Sequence, residues 1–152
     1  LCEAIAALPE VKVIDPYRAE LSPEEGLELR RQGLTADVMI ASTNAITLDG
    51  RLVNLDGMGN RVAAMAFGPK KVILVVGMNK VAPDLESAIA RVKHQAAPIN
   101  NIRYGLKNPC VETGLCSDCR SPQRICNMWS TIEGHMIEGR IHVKLVGEFL
   151  GY

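Results

Sequence analysis

Four cysteines crowd one short stretch of this chain. Cys110-VETGL-Cys116-SD-Cys119-RSPQRI-Cys126 has the spacing C-x5-C-x2-C-x6-C. Thiolates are soft ligands, and four of them complete a tetrahedral zinc site or hold one iron–sulfur cluster. Gly114 lets the loop fold around an ion, and Lys107, Arg120 and Arg124 lie close enough in sequence to offset negative charge. Four thiolates leave a net −2 around either Zn²⁺ or an oxidised four-iron cluster, so charge balance does not choose the metal. The spacing matches neither the bacterial ferredoxin run nor paired CxxC knuckles. An iron–sulfur cluster leads because one compact loop supplies every ligand, zinc is the alternative, and free thiols or disulfides stand third. The clustering suits a reducing, cytoplasmic setting better than a secreted domain, whose bridges would spread out to close long loops. Cys2 stands far away in sequence and reads as a small buried hydrophobe.

A second candidate is Asp56-Gly57-Met58-Gly59-Asn60-Arg61, which opens a helical stretch. Two glycines let backbone approach a ligand closely, and free N–H groups at a helix start attract anions. Arg61 would add a bidentate donor for carboxylate or phosphate, and Asn44 a neutral polar contact. The same residues also describe a tight turn, with Asn60 as helix cap and Arg61 in a structural ion pair. The turn is neither GxGxxG nor a Walker loop, so no nucleotide is implied. Asp49, Asp56 and Glu86 are candidate acids without a readable pairing. His94, His135 and His142 show no metal-binding spacing, and no serine nucleophile motif is present.

These residues need a scaffold. Residues 1–8 read as the end of a helix with Leu1, Ile5 and Leu8 on one face, and residues 11–14 as a short strand. Ser22-Pro23-Glu24-Glu25 is a capping-box helix start, and Gly33 ends that helix. Residues 37–41 read as a strand, and residues 45–55 as a hairpin around Asp49-Gly50. VAAMAF is helical, and KKVILVVG is a strand of a buried parallel sheet. Residues 84–95 form an amphipathic helix, residues 98–106 another helical segment, and residues 132–150 two strands forming a C-terminal hairpin. Ile137-Glu138-Gly139-Arg140 spells a protease tag, but sits between strands and reads as coincidence. Alternating helices and strands predict an α/β fold, three-layer, with a mostly parallel sheet and antiparallel hairpins.

The 152 residues fit one domain, spanning 1–152 and including the cysteine loop at 107–127. At 47% hydrophobic residues the chain can bury a core. Lys+Arg and Asp+Glu number 17 each, so a broad electrostatic footprint for nucleic acid or an anionic membrane is absent. The longest apolar runs fall far short of the roughly 20 residues of a membrane span.

The blocks TNAITLDGRLVNLDGMGNRVAAMAFGPKKVILVVGMNK and AAPIN, with the cysteine loop, resemble the LUD-domain family of lactate-utilisation proteins, from about Val11 to Tyr152. The cysteine loop marks a subset, so its metal is not a family-wide inference. The resemblance implies a fold like that of sugar-phosphate isomerases and CoA-transferases, with Asn44 and the DGMGNR turn flanking a crevice for a small anionic metabolite. Two roles stand for the chain, the first motivated by the cysteine quartet beside a ligand-competent fold, the second by the lack of a complete catalytic constellation and an N-terminus short of the family pattern. One is in organic-acid metabolism, with a redox cluster beside that crevice. The other is as an assembly module, in which metal staples the loop and the domain docks on itself or on a redox partner. Family chains of this type begin earlier, with a further strand and a segment resembling GFGGS. The expectation is an N-terminally incomplete domain of roughly two hundred residues, with an exposed sheet edge on that side.

Overall fold

Ser22 caps the helix that its position before Pro23 predicts. In the computed structural model, which describes residues 2–152, Glu25 N–H donates to Ser22 Oγ at 3.2 Å and Ser22 N–H donates to Glu25 Oε2 at 2.8 Å. This reciprocal box satisfies two donors that a helix start leaves orphaned. Leu1 lies outside the described residues. The side chains of Cys2 and Glu3 do so too, and with them the expected burial of Cys2.

The chain runs through α1 (Cys2–Ala6), α2 (Pro23–Gln32), β1 (Val38–Ala41), β2 (Ala45–Thr47), β3 (Leu52–Asp56), α3 (Asn60–Ala66) and β4 (Lys71–Gly77). It continues through β5 (Val81–Ala82), α4 (Leu85–Arg91), α5 (Ala97–Arg103), α6 (Pro109–Thr113), β6 (Met128–Ile132) and β7 (Ile141–Val146). Helices and strands build two sheets. One is wholly parallel in the order β1-β4-β7; the other is mixed, in the order β5-β2-β3-β6. The fold is thus the α/β class expected, with its parallel sheet and the hairpin at Asp49-Gly50 in place.

Two expectations fail. Residues 11–14 form no strand and pair with no strand among the described residues, and Val11 and Val13 stay exposed. The last two strands do not form a hairpin. β6 pairs antiparallel with β3, whereas β7 crosses to the other sheet and runs parallel to β4. Arg140 anchors that crossing. It is 3% exposed, and its guanidinium donates to the carbonyls of Ala64, Met65 and Pro69 at 2.9, 2.6 and 2.9 Å. A cation on the last carbonyls of α3 is favourably placed; of the tag-like sequence Arg140 is buried, while Ile137, Glu138 and Gly139 are exposed.

Three layers follow. Ile46 and Leu52 of the mixed sheet pack on Val72, Leu74 and Val76 of β4, with Met65 closing the cluster. On the other face of the mixed sheet, Ala45, Val53 and Ala82 meet Ala88 and Val92 of the helical layer. Each large buried aliphatic contributes about 1.5–3 kcal/mol. Between α4 and α5 the helix widens into π turns over Val92–Ala96, and Ala97 N–H reaches back to Val92 O. Pro98 explains the widening: it has no N–H for the His94 carbonyl, and its ring crowds that oxygen. Among the described residues no helix is long and apolar enough to cross a membrane.

Candidate functional site

The chain leaves the parallel sheet three times on the same side, after β1 through residues 42–44, after β4 through Met78–Lys80 and after β7 into residues 147–152. Carboxyl ends of parallel strands are where open α/β sheets bind ligands. Asn44 lies here, 9% exposed, and its side-chain oxygen accepts from Leu55 N–H at 3.0 Å and from Arg61 Nη2 at 2.6 Å.

Arg61 is a hub rather than a free donor. Nε and Nη2 both reach Asp56 Oδ1, at 3.0 and 2.7 Å. Nη1 donates to Ser42 O and to Asn54 Oδ1, each at 2.9 Å. Every nitrogen of the guanidinium is engaged within the chain, so Arg61 holds residues 42–44 against β3. Asp56, 7% exposed, uses its other oxygen to accept from Val62 N–H at 3.0 Å.

The glycines of the turn face the cysteine loop. A Cβ on Gly57 would stand 3.4 Å from Ile125 O, and one on Gly59 would clash with Met128 Sδ. Asn127 N–H donates to Asp56 O at 3.0 Å, and its side-chain amide to Gly57 O at 3.2 Å. Gly59, at φ +81°, is the helix cap that Asn60 was expected to be. The absence of a Cβ admits both the left-handed backbone and the neighbouring chain.

The loop itself begins at α6, whose first turn carries Cys110 and whose end is Gly114 in the left-handed region. Cys110 is buried, Cys116, Cys119 and Cys126 are half-buried, and all four are free thiols. They line one small pocket together with Lys93 and Arg124. Asp118, at φ +48°, turns the chain between Cys116 and Cys119, and its N–H donates to Cys116 Sγ at 3.5 Å. Arg124 Nε donates to Cys126 O at 2.7 Å, and its Nη1 to Cys119 O. Lys93 Nζ donates to Asp118 Oδ2 at 2.8 Å. Lys107 and Arg120, also expected near the thiols, are exposed.

Burial pushes the Cys110 and Cys126 thiols up from the usual thiol value. Cys116 and Cys119 push both further, and Arg124 opposes this at Cys126. Turning such a crowd of thiols into thiolates would call for a cation beside them. In donor chemistry the set suits a soft metal. Among the described residues, however, no group of three or more His, Cys, Asp or Glu side chains is arranged to hold a metal ion.

A smaller hollow lined by Asn44, Leu55, Val92 and Asn100 shares Ala97, Ile125 and Cys126 with the cysteine pocket. Of the residues expected to bind a ligand, Asn44 lines this hollow, and Asp56, Gly57, Gly59, Asn60 and Arg61 do not.

Asp49 sits in the hairpin turn, paired with Arg51 at 3.1 Å, and the Thr47 hydroxyl holds its carboxyl below the ordinary value. Glu86 is exposed on α4, and the three histidines stay apart from both hollows. Lys80 and Arg91 escaped the sequence reading. Lys80 resembles a surface lysine in a loop, and Arg91 a last-turn helix cation, yet both turn inward to residues 42–44.

No curated protein and no solved structure matches the chain. The family model of the LUD domain matches residues 4–146, nearly the whole length. The chain belongs to the LUD-domain family.

Proposed function

We propose that this LUD-domain chain is a lactate-utilisation-type protein of organic-acid metabolism, with an iron–sulfur cluster on its cysteine loop and a small-anion crevice beside it. The observation that carries this reading is the shared wall: Cys126 lines both the four-thiol pocket and the hollow under Asn44. Cys110, Cys116, Cys119 and Cys126 would hold the cluster, four-iron by ligand count, with zinc as the alternative occupant. A bound cluster supplies one-electron transfer or redox sensing. The protein's own part is to keep the loop dry on the Ala97 side, to offset charge with Lys93 and Arg124, and to orient Asn44 and Asp56 through Arg61. Such a loop belongs in a reducing, cytoplasmic compartment.

Anaerobic purification followed by metal analysis, visible absorption and EPR tests the reading. Near-stoichiometric iron and sulfide with a broad visible band and a reducible EPR signal are expected. A colourless protein with four zinc-bound thiolates would overturn electron transfer.

The contact of Gly57 and Gly59 with Ile125 and Met128 favours a second reading, in which metal staples the loop to the domain for docking on itself or on a redox partner. Cys116→Ser should then unfold the domain or abolish assembly. Retained stability and assembly would count against it.

A further inference from the structure

Lys80 is 5% exposed just beyond β4, and among the described residues its ammonium has one hydrogen-bond partner, Ser42 Oγ at 3.0 Å. An ammonium carries three donors, and a lysine buried this far is normally paired. No carboxylate among the described residues lies within 4.0 Å of it. Its charged neighbours are the guanidiniums of Arg91 and Arg61. Arg91 donates through Nε to Asn79 O at 2.8 Å and through Nη1 to Asn44 O at 2.6 Å, which leaves Nη2 buried with no partner. Asp56 is the acid of this cluster, and Arg61 already takes it. Three cations against one carboxylate leave two positive charges uncompensated beside residues 42–44.

The cluster is also covered. Asn79 holds residues 147–152 in place, its side-chain amide donating to Gly151 O at 2.9 Å and its Oδ1 accepting from Leu150 N–H at 3.1 Å. Gly151 passes so close that a Cβ there would stand 3.4 Å from Lys80 Nζ.

Burying unpaired charge is costly, and a fold that relied on Lys80 for stability would supply a carboxylate. We propose that Lys80, Arg91 and Ser42 form the receptor for a small oxyanion, a carboxylate or phosphate group, at the carboxyl ends of β1 and β4, with residues 147–152 as its cover. The inference rests on the small-anion reading above and moves recognition from Arg61, whose donors are spent, to Lys80. An oxyanion would fill the free donors of Lys80 and Arg91 and neutralise charge that the protein leaves open. Burial and the two guanidiniums also hold Lys80 below the ordinary lysine value, in line with a site short of negative charge.

The test uses the full chain, purified anaerobically, as wild type, Lys80→Met and Lys80→Arg. Thermal unfolding and calorimetric titration are run with sodium phosphate and with sodium lactate against chloride at matched ionic strength. Wild type should show a saturable rise of about 5–10 °C at a hundredfold excess over Kd with at least one of the two anions. Lys80→Met should melt higher than wild type in chloride and bind the anion at least tenfold more weakly, while Lys80→Arg keeps the response. A phosphate response alone identifies a phosphate ester as the ligand class, and a lactate response alone a monocarboxylate. No saturable response to either anion, or an unchanged response in Lys80→Met, overturns the proposal. The visible spectrum of the same samples separates the two readings. Colourless protein with a Lys80-dependent anion response sinks only the cluster, and coloured protein without that response sinks only the receptor.

Discussion

Arg61 and Asp56 lock together across the start of α3, with Nη2 and Nε at 2.7 and 3.0 Å from the same carboxylate oxygen. The pair does more than neutralise charge, because the remaining guanidinium donors hold Ser42, Asn44 and Asn54. Removing one partner strands the other in a buried position, at a cost of about 3–5 kcal/mol. Arg61→Ala should therefore lower the melting temperature by roughly 2–4 °C for each kcal/mol lost. Arg61→Lys should recover only part, since an ammonium cannot copy the planar fork. Calorimetry on the two variants checks this, and an Arg61→Ala protein melting with wild type would refute the hub.

Gly59 sets a different constraint. Its φ of +81° penalises any Cβ, and a Cβ there would also strike Met128 Sδ. Gly59→Ala should cost about 1–2 kcal/mol from backbone alone, visible as a lower urea midpoint. The Gly59→Ala/Met128→Ala pair removes the clash but not the backbone strain, so it should leave that part of the loss in place. Full recovery in the double variant would show that the clash was the whole effect.

Local chemistry made much of the scaffold legible. Ser22 and Glu25 announce a helix start, Asp49-Gly50 a hairpin corner, and the apolar run of β4 a buried parallel strand, because neighbours in sequence supply those contacts. Residues 11–14 have strand composition but no strand to pair with among the described residues, and composition cannot report that. β7 joins β4 through a crossing that depends on Arg140 reaching α3, more than seventy residues back in the chain. The candidate site divides the same way. The four cysteines are visible because they share one loop, and Arg61 is visible as a cation, though not as one whose donors are spent. Lys80 becomes unusual only when residues 147–152 fold over it.

Asp84 caps α4, accepting from Ser87 N–H at 2.7 Å, and that bond holds its carboxyl below the ordinary value. A carboxyl whose folded pKa is depressed adds stability above its unfolded value of 3.8, and loses it as pH falls through the lower folded value. Asp84→Ala should thus be less stable than wild type at neutral pH and converge on it in acid. Asp84→Asn keeps a capping oxygen and should flatten that part of the pH dependence. Urea midpoints measured from neutral pH down to the acid limb distinguish the three proteins.

Arg124 ties the carbonyls of Cys119 and Cys126 together from inside the loop. Asn108 adds a second tie, donating to Gln123 O at 2.9 Å and to Asn101 Oδ1 at 2.5 Å. Arg124→Gln should leave the far-ultraviolet spectrum of the domain unchanged and, for the cluster or zinc proposed on this loop, shorten metal retention under a chelator several-fold. Retention equal to wild type would mean that the cysteines alone organise the loop.

Lys80 gives the sharpest pH signature. Its folded pKa lies below the ordinary 10.5, because burial and the facing Arg91 and Arg61 guanidiniums disfavour its charge, and Asp56 is committed to Arg61. Below the folded value both states hold the proton, and the native protein bears the whole cost of an unpaired buried cation. As pH rises through the folded value towards 10.5, the native form gives up its proton while the unfolded chain keeps one, so stability must rise. Lys80→Met lacks this group and serves as the reference that cancels every other alkaline titration. The stability gap between the two proteins should favour Lys80→Met at neutral pH and narrow steadily on the alkaline side. A gap that stays constant with pH would mean that Lys80 carries the same proton affinity folded and unfolded, and that its charge is solvated or paired after all.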